Sequence, residues 1–105
     1  EIFDVAVDIR RRSEHFGRWF GATLSGSNRA QLWIPPGFAH GFLVLSEHAV
    51  VVYKCTALYA PADERTILWS DPELAIDWPL TVGASPLISA RDAQGVPLRT
   101  AELFP

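Results

Sequence analysis

Residues 31–61 read QLWIPPGFAHGFLVLSEHAVVVYKCTALYAP, and how this stretch is read decides the fold. It opens on a short apolar run, 31–34, read as a strand that two prolines bring to a stop. His40 then stands alone between Ala39 and Gly41, directly before a second apolar run over 42–45. After the polar turn Ser46-Glu47-His48 comes the longest strand-like run of the chain, 49–59. Side chains alternate across a strand, so Tyr53, Cys55 and Tyr59 share one face while Lys54 and Thr56 share the other. A face with two tyrosines and a thiol among apolar neighbours is expected to line a ligand pocket.

Working outward, residues 2–10 (IFDVAVDIR) alternate cleanly. Phe3, Val5, Val7 and Ile9 face one way and Asp4, Asp8 and Arg10 the other, the pattern of a strand with one wet face. Residues 11–17 form a polar connection, 18–24 a short strand with Gly21 as a bulge or bend, and 25–29 a turn. Beyond the central stretch, 61–65 reads as a loop or one helical turn, 66–69 as a short strand and 70–73 as a turn. Leu74, Ile76, Trp78 and Leu80 alternate with polar or small residues, and a turn of helix is expected near 89–93. Short strands at roughly 8–12-residue spacing, broken by Gly and Pro, predict an all-β sandwich or barrel.

The 105 residues bound the chain to a single domain, 1–105. A net charge of −3, with Arg10-Arg11-Arg12 as the one basic cluster, argues against a nucleic-acid partner. No apolar run approaches the ~20 residues of a membrane span, and a single cysteine forms no internal disulfide. The chain has no methionine and starts in mid-strand at Glu1-Ile2-Phe3, which leads us to expect a fragment or a processed chain.

Each candidate residue has a bland reading beside the functional one. His40 sits in a Pro35-x-Gly37-x-x-His40 spacing that supplies one metal ligand in double-stranded β-helix (cupin) proteins. Such a site needs three or four ligands, and His15 and His48 offer no His-x-His partner, so no metal site is expected. His40 is then either held by its neighbours' backbone or contacts an anion or substrate at the barrel mouth. Tyr53 is a half-buried strand tyrosine or a working hydroxyl, and Tyr59 is rim packing or a stacking platform for a base. Cys55, with no flanking base, reads as a small core residue, and Trp33, Trp69 and Trp78 read as core. Asp92, in Ser89-Ala90-Arg91-Asp92, has a cap or turn role as its default.

Taken together, residues 3–10 (FDVAVDIR), 16–19 (FGRW), 34–42 (IPPGFAHGF), 53–56 (YKCT), 59–61 (YAP), 77–79 (DWP) and 89–93 (SARDA) resemble the dTDP-4-dehydrorhamnose 3,5-epimerases. The likeness runs along essentially the whole chain and corresponds to the carboxyl-terminal part of that family. It implies a double-stranded β-helix, the jelly-roll or cupin-like barrel, incomplete at its N-terminal side. It also implies a cytoplasmic homodimer that needs no cofactor and acts on dTDP-4-dehydro-6-deoxyglucose. By position, Tyr53 matches the family's proton-donating tyrosine and Asp92 the carboxylate that pairs with its catalytic histidine. His40, Tyr59, Glu64 and Arg91 match substrate-binding positions: His40 near the phosphates, Tyr59 on the thymine, Arg91 near the diphosphate. The Arg-Gly-Leu-His segment carrying the family's base histidine, and the lysine that stabilises its enolate, are not among these residues. The expectation is therefore that this chain alone turns over little or no substrate. Two other classes remain open: a non-catalytic sugar-nucleotide-binding cupin, and an epimerase acting at C3 only. A metal-dependent cupin oxygenase is disfavoured by the missing His-x-His.

Overall fold

In the computed structural model, which describes residues 1–105, three antiparallel strands form one sheet in the order β2-β1-β3. They are β1 (Ile2–Asp8), β2 (Trp19–Leu24) and β3 (Phe38–Val44). The central place of β1 corrects the expectation of a wet face, because neighbours on both sides leave Asp4 and Asp8 only 5% and 1% exposed. Burying a carboxylate is costly unless it is paired, and both are. Asp8 accepts from the Arg10 backbone N–H (3.0 Å), from Nε (3.0 Å) and Nη2 (2.8 Å) of the same residue, and from Ser13 Oγ (2.5 Å). Asp4 is paired across the sheet with His40.

The other face of β1 builds the core. Val5, Val7 and Ile9 pack with Leu74 and Leu98, and Phe3, Trp19, Ile76 and Trp78 close around them. Full burial of such side chains contributes about 1.5–3 kcal/mol each. Phe3 meets Trp78 edge to face at 6.1 Å, and Trp78 Nε1 donates to the Trp69 carbonyl at 2.9 Å, so the ring's polar handle is satisfied inside. Trp78 joins the core as its sequence suggests, whereas Trp33 is 73% exposed. Between β1 and β2 the register runs unbroken, with Val5 opposite Gly21, so Gly21 marks neither bulge nor bend. It leaves room for the Phe3 ring, whose Cζ would lie 2.3 Å from a Cβ built there.

Several expected strands are absent. Residues 31–34 and 49–59 form no ladder, and in the latter Val50, Val52, Tyr53, Leu58 and Tyr59 are all exposed. An alternating apolar run states what a segment can pair with, and this chain offers 49–59 no partner. Cys55 is accordingly exposed and not a core residue. The 66–69 strand shrinks to a single parallel bridge, Ile67 to Val96. Gly95 permits that approach, since a Cβ there would come within 2.8 Å of the Leu68 backbone. Residues 74–80 form no strand either, although Leu74, Ile76 and Trp78 do point inward as their alternation suggests. The helical expectations near 61–65 and 89–93 correspond to a 3-10 turn at Pro61–Asp63 and to α1 (Ala90–Ala93), capped by Ser89. Asp71, expected to serve a turn, does more: its buried carboxylate accepts from the Glu73 N–H (2.8 Å) and, across the fold, from the Leu98 N–H (2.6 Å).

Candidate functional site

A concavity of about 800 Å³ lies beside β3 and is floored by apolar side chains, among them Leu74, Trp78, Leu80 and Ile88. That size suits a ligand of several rings. Four of the residues singled out in the sequence line it: His40, Glu64, Arg91 and Asp92. They arrive from three separate places, a strand, the turn after 61–63 and the short helix.

His40 is not placed before a strand but in the middle of one, opposite Ala6. Directly opposed residues share a face, so its ring lies diagonally across from Asp4, and Nε2 stands 2.5 Å from Asp4 Oδ1. An ionised carboxylate only accepts, which makes Nε2 the protonated nitrogen and leaves Nδ1 as the ring's free position. The His40 side chain is 36% exposed and that of Asp4 7%, so a buried acid steers a ring that reaches the surface. Asp4 escaped sequence reasoning because alternation alone assigned it to water. The available signal was two carboxylates on one face of an otherwise apolar run.

At the rim, Arg91 Nη1 donates to Glu64 Oε2, joining α1 to the turn before it. Only one nitrogen of the guanidinium is used, so its other N–H groups stay free for an anion. Asp92 sits in the first turn of α1, where its own N–H donates to Ser89 Oγ at 3.1 Å, and its carboxylate meets no histidine of this chain. A second rim pair joins Arg65 Nε to Glu102 Oε2 at 2.8 Å, and Glu102 pushes the Arg65 guanidinium above its ordinary pKa. Tyr53 and Tyr59, 74% and 78% exposed, do not line the cavity. They ride on the unpaired 49–59 segment. No three His, Cys, Asp or Glu side chains cluster in a way that would hold a metal ion, and no helix is long and apolar enough to cross a membrane.

The chain's likeness to known proteins is extensive. Residues 1–100 match the family model described as dTDP-4-dehydrorhamnose 3,5-epimerase. A Pseudomonas aeruginosa dTDP-4-dehydrorhamnose 3,5-epimerase is 56% identical over 105 residues, which are 100% of this chain and 57% of that protein. Among solved structures, a Legionella pneumophila dTDP-6-deoxy-D-glucose-3,5-epimerase in complex with dTDP-4-keto-L-rhamnose superposes with a TM-score of 0.88 at 48% identity. That match covers 98% of this chain and 55% of the other. A 3'-monoepimerase from Streptomyces bikiniensis in complex with dTDP-quinovose superposes at 0.86 with 36% identity, covering 94% and 49%. The chain thus spans about half the length of the relatives it matches, and its three-stranded sheet is an incomplete part of the cupin-like jelly roll of those structures.

Proposed function

The chain belongs to the dTDP-4-dehydrorhamnose 3,5-epimerase family, and from that premise we propose that it binds dTDP-4-dehydro-6-deoxyglucose and serves inversion at C3 and C5, giving dTDP-4-dehydro-L-rhamnose. The C4 carbonyl acidifies the protons on both neighbouring carbons. A base removes each proton, the electron pair rests on the carbonyl oxygen as an enolate, and an acid returns a proton to the opposite face. In this reading Tyr53 is the returning acid and Asp92 orients the base histidine. His40 and Arg91 take the diphosphate, Tyr59 stacks on thymine, and Glu64 holds a substrate hydroxyl. Residues 1–105 act as one cupin-like domain of a cytoplasmic homodimer.

One observation carries the reading: His40, Glu64, Arg91 and Asp92 converge on one cavity of about 800 Å³ with an apolar floor. Tyr53 and Tyr59 do not line that cavity, so the proposal includes a second copy against which the 49–59 segment packs. None of His15, His40 and His48 matches the family's base, so little proton exchange is expected from this chain alone. The likeness to a 3'-monoepimerase favours C3-only inversion as the second reading.

Proton NMR of dTDP-4-dehydro-6-deoxyglucose in D2O with the 105-residue chain tests these readings. Broadening of the thymine signals is the expected result. Deuterium at both C3 and C5 identifies the 3,5-epimerase, and deuterium at C3 alone the monoepimerase. Binding without exchange identifies the non-catalytic reading, and sharp thymine signals at millimolar protein overturn all three.

A further inference from the structure

Residues 47–65 leave the body of the molecule after β3 and return to it at Thr66. Over that span no backbone hydrogen bond joins the segment to the rest of the chain; those present, Asp63 N–H to the Ala60 carbonyl (3.0 Å) and Glu64 N–H to that of Pro61 (3.3 Å), are internal to its last turn. Its side chains are exposed apart from a half-buried Val51. Ser46 Oγ donates to the His48 carbonyl at its start (2.6 Å), and two arginine–carboxylate pairs tie its far end to the body. One, Glu64 to Arg91, belongs to the site already described. The other, Arg65 to Glu102, is the second pair at the same rim, and no role has been given to it.

Arg65 makes more of its tie than a point charge would. Nε donates to Glu102 Oε2 at 2.8 Å, while Nη1 donates to the Ala62 carbonyl at 3.2 Å and to the Glu64 carbonyl at 3.0 Å. One rigid, planar fork therefore grips the C-terminal segment with one edge and the carbonyls of the Pro61–Asp63 turn with another. Glu64 caps the C-terminal end of that turn, and its carboxylate is the partner of Arg91.

We propose that Arg65, anchored by Glu102, is a positioning residue that fixes the turn bearing Glu64 and thereby sets the Glu64–Arg91 pair at the cavity rim. Its guanidinium lines the same cavity but is occupied by Glu102 and by the Ala62 and Glu64 carbonyls, so its effect passes through Glu64. The consequence for ligand binding rests on the proposed function, whereas the anchoring of the turn does not.

Two readouts on the full chain keep these apart. Hydrogen exchange at the Asp63 and Glu64 amides is expected to rise about two- to five-fold in R65Q, the range open to an exposed ion pair, with the β1 amides unchanged. The exchanged pair R65E/E102R is expected not to restore protection, because a carboxylate at 65 cannot donate to the Ala62 and Glu64 carbonyls, whereas R65K, whose ammonium donates but lacks the fork, is expected to keep part of it. Calorimetric affinity for dTDP is expected to fall by a similar factor in R65Q and to stay low in R65E/E102R. Unchanged exchange in R65Q, or full recovery in the exchanged pair, overturns the proposal. Altered exchange with unaltered dTDP affinity overturns the positioning role. Should the wild-type chain bind no dTDP, the functional reading falls and the exchange data alone decide the anchor.

Discussion

Two carboxylates two turns of the pleat apart show how one residue type serves different ends on β1. Asp8 is consumed by structure: hydrogen bonds from Arg10 hold its carboxyl well below the usual carboxylate range, against the opposing effect of burial. A depressed folded-state value means that its contribution is whole above the unfolded value of ~3.9 and is lost as pH falls through that value towards the folded one. The stability gap between wild type and D8N, from urea unfolding, should be constant from pH 8 to 5 and narrow below pH 4. A gap undiminished at pH 2.5 would count against the pairing. Asp4 instead steers His40, whose Nε2 it holds at 2.5 Å. D4A should cost about 1–2 kcal/mol through the lost hydrogen bond and release the ring from its Nε2–H tautomer. Nitrogen-15 shifts of His40 report this directly: a mixed tautomer is expected in D4A and a single one in wild type. Unchanged shifts would mean that something else orients the ring.

At the scale of elements, β1 and β2 fit because one small residue faces one large one. The Phe3 ring occupies the space above Gly21, where even a methyl group would come within 2.3 Å of Cζ. G21A should destabilise by about 1–3 kcal/mol, the usual range for overpacking. The double variant F3L/G21A should lose less than the sum of the single changes, since Leu vacates the contested space. Strict additivity in denaturant melts would show that the contact carries no strain. The same elements show what the sequence could reveal. Alternation located β1 and its core-facing residues, Val5, Val7 and Ile9, and the turn of helix expected near 89–93 is α1, although its cap is Ser89 and not Asp92. It failed for Asp4 and Asp8, because whether the second face of a strand is wet depends on its neighbours in the sheet. It failed for 49–59 for a related reason: a β-branched, alternating run has the propensity to pair, but pairing requires a partner at hand. The site was legible in part. His40, Glu64, Arg91 and Asp92 come together as a group, while the Asp4 that orients His40 becomes visible only once the β1–β3 register is known.

On the scale of the whole molecule, the feature that asks for an explanation is exposed apolar surface. Val50, Val52, Leu58, Tyr53 and Tyr59 are between 74% and 96% exposed on one segment, and the sheet ends in two open edges, β2 and β3. Unpaired strand edges beside an apolar, pairing-competent segment recruit another chain, either in a closed symmetric dimer or in open-ended aggregation. The homodimer of the proposed function selects between these outcomes, because a two-fold contact closes after two copies. Light scattering coupled to size exclusion should then give a dimer whose mass is constant from about 10 to 200 μM. V50D/V52D should shift it towards monomer, since each charge would have to be desolvated in the contact. Those substitutions lie outside the buried core, so urea unfolding of the β1–β2–β3 body at low concentration should be little changed. Mass that grows with concentration would favour aggregation through the edges. A monomer at all concentrations would remove the surface on which Tyr53 and Tyr59 are proposed to reach the cavity, and with it their place in the site.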